Sequence, residues 1–294
     1  MKIGMIGLGV MGHSIAQNIL KHGHTMVLYD IRPEAYKDLL QSGAQGVSSP
    51  QELGQKADMV LMMVNTYQHC CSAMSGLLET LHDGIIVNLG TISMAEAQEL
   101  DKLAATANCR MLDCPVSGGS AGAKSGMLTL MAAGSKAVFA ACEPVLQCFS
   151  KKIVHVGEQP GQGQAVKTIN QLLVGVHMCA TAEAFTLADK CGLDLQTMYE
   201  TICESAGRSE IFANRGQFLI DRDFTTRSTL QIQLKDTNIV CQTAQSVGVP
   251  VPLASIARDL FAEAVEKYPP TDDSIAVTRI YEALCDSKLP AAAE

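Results

Sequence analysis

Apolar residues recur along this chain in two rhythms. In the first half they come as short, nearly continuous blocks: Lys2–Met5, Thr25–Tyr29, Ala44–Val47, Met59–Val64, Ile85–Leu89, Met111–Asp113, Gly126–Met131 and Lys152–Val156. Unbroken apolar runs of this length read as strands buried on both faces, unlike the alternating pattern of a half-exposed sheet. Between them lie stretches of helical spacing: Ser14–Lys21, Pro33–Gln41, Pro50–Lys56, Tyr67–Leu81, Met94–Ala107 and Ala137–Phe149. Ser93, followed three residues later by Glu96, has the form of a capping box that starts one of these helices. Regular alternation of strand and helix predicts an α/β fold, a doubly wound parallel sheet of the Rossmann kind.

The second rhythm begins at Gly163. From there to Cys191 nearly every residue is apolar or small. As a helix this stretch would run about 40 Å, and its apolar residues fall on most of the circumference, which predicts burial on all sides. It reads as the spine of a second domain. Further helices are predicted from Asp194 to Ser205, Ile211 to Leu219, within Phe224–Val247, Leu253 to Tyr268 and Ile275 to Leu284, with no convincing strand. The expected organisation is a dinucleotide-binding domain over 1–161 and an all-helical domain over 162–294, joined by the linker Gly157–Gly163. The tail, Lys288 to Glu294, is expected to be disordered.

Composition narrows the partners. The chain has 294 residues, a formal net charge of −8, 47% hydrophobic and 18% charged residues, which offers no basic surface for nucleic acid. The long apolar stretch is interrupted by Lys167, Asn170, Glu183 and Asp189, which disfavours a membrane span. The 11 cysteines include no CxxC pair; they read as reduced, small core residues of a cytoplasmic protein, and the opening MKIGMIG does not have the form of a signal peptide. No metal site is expected. So much apolar helix in a short second domain suggests a homodimer or homotetramer.

Chemistry enters at three places. Gly7-Leu8-Gly9-Val10-Met11-Gly12 is a GxGxxG turn set between a strand and a helix, the context in which it cradles a pyrophosphate at a helix N-terminus. Asp30, 18 residues past Gly12, closes the second strand where a ribose-binding carboxylate belongs, and favours NAD over NADP; Arg32 leaves a 2′-phosphate open. Val64, Asn65 and Thr91 follow strand ends, where ligands of such sheets gather. Next, Pro115-Val116-Ser117-Gly118-Gly119 suits an anion nest, with exposed amides and the Ser117 hydroxyl. Last, Lys167, Asn170 and Gln171 share one face near the start of the long helix, and a lysine there needs a partner or a purpose.

The stretches IGLGVMGHSIAQNIL, DCPVSGGSAGAKSGMLTLMAAG, GQAVKTINQLL and LKD at 234–236, in this order, resemble the β-hydroxyacid dehydrogenase family, which includes 3-hydroxyisobutyrate, tartronate semialdehyde and 6-phosphogluconate enzymes. The resemblance implies a Rossmann domain, a helical domain and an active site in the cleft between them. It assigns Lys167 as the catalytic lysine, with Asn170 beside it, and Ser117, Gly118 and Gly119 as the loop that holds a substrate carboxylate. Lys235 matches a lysine at the far wall of the site, counted with both the substrate- and the cofactor-binding groups. Gln171 stands where the family usually has a second asparagine, and Gly90 where it has a serine. Within the family, KTINQLLVGVH, PLAS and Asp272–Ala276 look most like the L-threonate dehydrogenase branch. His177, seven residues past Asn170, is part of that likeness and is a candidate contact for distal hydroxyls.

The expected reaction is hydride transfer between nicotinamide and the hydroxyl-bearing carbon of a small hydroxy acid. Lys167 would exchange the proton, its pKa lowered by burial and by Lys235, while Gln171 would adjust pocket depth. Other expectations stand beside it: a 3-hydroxyisobutyrate, tartronate semialdehyde or 4-hydroxybutyrate enzyme, an imine reductase on the same scaffold, or a dinucleotide-binding protein without catalysis.

Overall fold

The computed structural model describes residues 1–286, 288 and 289. The chain forms two compact units, Met1–Lys167 and Thr168–Glu294. The first contains β1 (Ile3–Ile6), α1 (Val10–Lys21), β2 (Met26–Tyr29), a 3-10 turn (Pro33–Tyr36) running into α2 (Lys37–Gln41), β3 (Gln45–Gly46), α3 (Pro50–Gly54), β4 (Met59–Met62), α4 (Tyr67–Leu77), β5 (Ile85–Asn88) and α5 (Met94–Ala105). It continues through β6 (Arg110–Asp113), β7 (Val116–Ser117), α6 (Gly119–Ser125), β8 (Leu128–Ala133), α7 (Lys136–Leu146) and β9 (Ser150–Gly157).

The strands form one sheet in the order β3-β2-β1-β4-β5-β6-β8-β7, with β9 beside β8. Strands β1 to β6 pair in parallel. The sheet is not parallel throughout: β8 runs antiparallel to β6 and β7, and β9 parallel to β8. The unbroken apolar runs are explained by burial on both faces. Met5, Leu28, Met59, Leu61 and Val87 point into one core with Ile15 and Phe149. Ile6, Val27, Val60, Met62 and Ile86 point into the other with Leu53, Met74 and Leu100. Truncating a fully buried ring such as Phe149 to alanine costs about 3–5 kcal/mol.

Two elements differ from the expectation. Pro115–Gly119, read from the sequence as an anion nest with neither strand nor helix, contains β7 and leads directly into α6. Its sequence, GSAGAKS, has poor intrinsic helicity, so packing holds it: Ala123 is fully buried, and the Asn18 side chain of α1 donates to Ala123 O at 2.8 Å. Helix α1 also begins four residues earlier than the apolar spacing indicates, so its first turn lies inside the glycine motif.

The second unit is helical among the described residues: most of α8 (Gln162–Lys190), then α9 (Leu195–Cys203), α10 (Glu210–Ile220), α11 (Leu230–Ser246), α12 (Pro252–Lys267), a 3-10 turn (Ser274–Val277) and α13 (Thr278–Leu284). Its core gathers Met178, Phe185, Phe212, Leu219, Phe261 and Ile275–Val277. The side chains of Asp194, Ser209, Thr229 and Asp273 each accept an amide at a helix start, which explains the element boundaries. The structure corrects the expectation that α8 is buried all round. Val166, Ile169, Leu173 and Leu187 are exposed, and with Ala180 they recur at spacings of three, four and seven, one apolar stripe along the helix. By length and hydropathy α8 would suit a membrane, yet only half of its apolar window is buried within the protein.

The tail is not wholly without order: Leu289 is buried, its amide donates to Glu282 and its carbonyl accepts from Arg222. The expectation for Pro290 and the last four residues lies outside the described residues. All 11 cysteines are free thiols; six are buried, while Cys191 and Cys285 are exposed.

Candidate active site

The glycine turn is built by close backbone approach. Gly7 has φ +88°, and a Cβ there would strike the Met63 carbonyl; a Cβ on Gly12 would strike the carbonyl of Gly7 itself. Gly9, by contrast, faces open space and precedes the first residue of α1. An unencumbered backbone at the N-terminus of a helix is what a pyrophosphate requires. A cavity of about 420 Å³ opens here, lined by Leu8, Gly9, Val10, His13, Ser14, Arg32, Glu34 and Ala35.

Asp30 lies at the end of β2 and is 8% exposed. Its Oδ2 accepts the Leu8 amide at 2.7 Å and its Oδ1 the Arg32 amide at 2.9 Å. Each oxygen keeps a lone pair, so the carboxylate is oriented and still able to accept from a ribose diol. The Arg32 guanidinium is largely exposed and leans on Asp30, Nε to Oδ1 3.5 Å. A 2′-phosphate would meet the Asp30 charge first. These residues fit NAD. Met11, in the same turn, is partly buried against the core. Val64, just past β4, and Thr91, after β5, are half-buried, while Asn65 is exposed.

One contact in this region escapes a reading of the sequence. His13 Nε2 lies 2.9 Å and 3.0 Å from the two Asp38 oxygens, tying α1 to α2 at the cavity, and it holds the Asp38 carboxyl below its usual range. Its position, one turn into the helix after the glycines, is the available signal.

Gly90 explains one departure from the family pattern. A Cβ there would lie 2.7 Å from Val64 O, so the serine of relatives has no room with the loops after β4 and β5 as they stand. The Gly90 amide is held instead by Asn88 Oδ1 at 3.2 Å.

Ser117 ends β7, and the exposed Gly118 and Gly119 take positive φ, 125° and 61°, at the start of α6. Two exposed glycines without Cβ atoms leave this turn open to close approach by an anion. Asp113, four residues before Ser117, is a second group to which the sequence assigns no role. Burial pushes its carboxyl up to about 6, and hydrogen bonds from Gln164 pull in the other direction. Its place at a strand end is the only clue.

Lys167 lies in the second turn of α8 and is 7% exposed. In the Thr168–Glu294 unit, the polar side chains form a chain. Asn170 Nδ2 donates to Gln171 Oε1 at 2.8 Å, and Gln171 Nε2 donates to Asp236 Oδ2 at 2.5 Å. The Lys235 ammonium is 3.0 Å from Asp236 Oδ1. Gln171, assigned to pocket depth in the sequence, is found here as a link between Asn170 and Asp236. Both ends of its amide are engaged, and the additional methylene lets it span from Asn170 to Asp236. Asp236, buried at 4% exposure, anchors this chain; in the sequence it stands out only as part of the LKD stretch. His177 is half-buried on α8, and its carbonyl accepts the Thr181 hydroxyl.

A glycine turn open at a helix start and an oriented carboxylate at the end of the second strand are the features of a dinucleotide-binding domain. Comparison with known proteins refines this. Residues 2–157 match the NAD-binding domain of 6-phosphogluconate dehydrogenase, and residues 161–281 match the NAD-binding of NADP-dependent 3-hydroxyisobutyrate dehydrogenase. The chain is 36% identical over 287 residues to L-threonate dehydrogenase of Escherichia coli (strain K12), covering 96% of this chain and 95% of that protein. It is 34% identical over 288 residues to 2-(hydroxymethyl)glutarate dehydrogenase of Eubacterium barkeri, with 96% and 95% covered. The crystal structure of a 3-hydroxyisobutyrate dehydrogenase from Salmonella typhimurium superposes with a TM-score of 0.89 at 36% identity, covering 95% of this chain and 99% of that one. The chain belongs to the β-hydroxyacid dehydrogenase family, the 3-hydroxyisobutyrate and 6-phosphogluconate dehydrogenase-like proteins. It is an NAD-dependent oxidoreductase that transfers hydride to and from a small, carboxylate-bearing hydroxy acid.

Proposed function

We propose that the substrate is L-threonate or a closely related sugar acid, and that Lys167 is the proton-exchanging group. Bound NAD supplies the hydride acceptor in oxidation and the donor in reverse. The chain's own residues do the rest. The Ser117 hydroxyl and the Gly118 and Gly119 amides hold the carboxylate, which fixes the orientation of the reacting carbon. Lys167 takes the hydroxyl proton in oxidation and returns it to the carbonyl oxygen in reduction. Asn170 orients the reacting oxygen, with its amide held by Gln171 and through it by Asp236. Lys235 and His177 are the candidates for distal substrate oxygens, and Lys235 also serves the cofactor.

The observation that carries this reading is the buried Lys167 near the start of a helix, in a chain that matches threonate dehydrogenases along its length. An ammonium out of water releases its proton more readily, which a base for alcohol oxidation needs. Lys167→Ala should lower kcat about a thousandfold, within the usual range for loss of a general acid–base, with NADH binding retained. Turnover near the wild-type rate rejects the role. The substrate is tested by initial rates with threonate, erythronate, glycerate, 3-hydroxyisobutyrate, 4-hydroxybutyrate and 2-(hydroxymethyl)glutarate. A kcat/KM for threonate at least about tenfold above the others supports the assignment, and preference for a branched or dicarboxylic acid overturns it.

The same proposal includes a cytoplasmic homo-oligomer. Free thiols throughout suit a reducing compartment. The exposed apolar stripe of α8, with its seven-residue spacing, suits pairing with a second copy of the chain. Light scattering on the purified protein tests it, and a monomer at micromolar concentration removes it.

A further inference from the structure

One side chain at the start of α8 has a bonding pattern that neither cofactor binding nor proton transfer accounts for. Gln164 is fully buried and makes four hydrogen bonds, three of them through its side chain, to two separate segments. Its backbone amide donates to Asp113 Oδ2 at 3.0 Å, and its Nε2 donates to Asp113 Oδ1 at 2.7 Å. The same Nε2 donates to Gly90 O at 3.0 Å, and its Oε1 accepts the Ile92 amide at 3.1 Å. The helix start is pressed close as well, since a Cβ on Gly163 would lie 2.5 Å from Met131 O and 2.9 Å from Asp113 Oδ2.

The topology gives this cluster its meaning. Asp113 ends β6, and Gly90–Ile92 follows β5, both at the carboxyl edge of the sheet where nucleotide sheets bind ligands. Lys167 follows Gln164 by three residues, on the same face of α8 and about 4.5 Å along it. A helix whose first turn is fixed in this way cannot slide or rotate without breaking buried hydrogen bonds and leaving their donors and acceptors unmatched. The Asp113 carboxylate also accepts an otherwise unmatched amide at the helix N-terminus, the role of a cap supplied from a distant strand.

We infer that Gln164 and Asp113 are a positioning pair, which sets the distance between Lys167 and the Gly90–Ile92 loop and so holds the proton-transfer group in register with the cofactor-side loop. The inference rests on Lys167 being the proton-exchanging residue. Neither member touches substrate; both act through the groups they hold. A shift of about 1 Å at such a group costs on the order of a hundredfold in rate.

The test is an exchange of functional groups. Gln164→Glu keeps the length and the bond from Ile92 but loses both side-chain donations and sets two carboxylates face to face. Adding Asp113→Asn restores a donor: the new amide nitrogen faces the carboxylate introduced at position 164, and the amide oxygen still accepts the backbone N–H of that position. The single variant should lose at least about tenfold in kcat, with NADH affinity by fluorescence titration within about threefold of wild type. Amide hydrogen exchange should accelerate together in peptides covering 90–94 and 161–167. The double variant should recover most of the rate and of the protection. Single-variant turnover within about twofold of wild type, or a double variant no better than the single in either readout, overturns the inference. Lys167→Ala, run alongside, separates the two claims. If it is inactive while Gln164→Glu is normal, only the positioning pair fails; if Lys167→Ala is active, the underlying reading fails as well.

Discussion

The dinucleotide turn and the Asn170–Asp236 chain do comparable jobs with opposite materials. Around Gly7, Gly9 and Gly12 the shape is made by main chain, and the one side chain that matters, Asp30, is itself held by two backbone amides. Around Gln171 the links are side chain to side chain: Asn170 to Gln171, Gln171 to Asp236, Asp236 to Lys235. A site made of backbone tolerates exchange of its side chains but no carbon where main chain meets main chain, as at Gly7 and Gly12. A site made of long polar side chains tolerates added volume nearby and depends on the length of each link. On the proposed reading, the first holds a cofactor shared by many enzymes and the second borders a substrate that differs among them.

Adding one carbon to the turn should have the largest effect. Gly12→Ala has no room beside the Gly7 carbonyl, so NAD affinity should fall at least a hundredfold, about 3 kcal/mol, as read by NADH fluorescence titration. Binding within a few fold of wild type would end the claim that backbone contact shapes this region.

Asp113 probes the border between the two materials, being a side chain that serves backbone. Burial raises its carboxyl from the ordinary 3.8 to about 6. Between those values the folded protein keeps a proton that the unfolded chain has released. Its contribution to stability is therefore complete below about pH 4 and declines as pH rises to 6, by at most about 3 kcal/mol. Denaturant unfolding of wild type and Asp113→Asn across pH 4–7 should show the difference between them change through that window and level off above it. A difference that is constant from pH 4 to 6 contradicts the shift.

Replacing Asp30 with serine removes the charge that a 2′-phosphate would meet and leaves Arg32 in place. KM for NAD should rise about tenfold, the worth of one or two charge-assisted hydrogen bonds, and the preference over NADP should shrink by at least as much. An unchanged NAD/NADP ratio would move cofactor choice elsewhere. The smallest effect concerns length alone: Gln171→Asn restores the residue common in the family but cannot span to Asp236, so kcat/KM for the hydroxy acid should fall about fivefold with KM for NAD unchanged. An improved enzyme would mean that the link to Asp236 is not what Gln171 provides.

What is legible in the sequence follows the same division. The glycine turn, Asp30 and the alternating strands are local signals, each carried by a few consecutive residues with a fixed physical meaning, and their placement can be read without a structure. The antiparallel β8 and the helix over Gly119–Ser125 are not legible. The first depends on how the chain turns after Asp113, and the second on packing against Asn18, about a hundred residues away. Gln164 is invisible for a related reason. A glutamine in the first turn of an apolar helix looks like solvated surface until its partners at Gly90, Ile92 and Asp113 are known. The long helix itself is legible in extent, whereas its exposure is not, because apolar residues on all sides of a helix do not say which of them this chain covers.

Gly90 carries a consequence for anyone who would re-engineer specificity. Since Val64 O occupies the place of a side chain there, grafting the serine of relatives onto this protein is not a one-letter change; the strand-end segment opposite must be redrawn with it. Because the obstacle is a main-chain carbonyl, present whatever residue stands at 64, it is the path of the backbone there and not a side chain that must move.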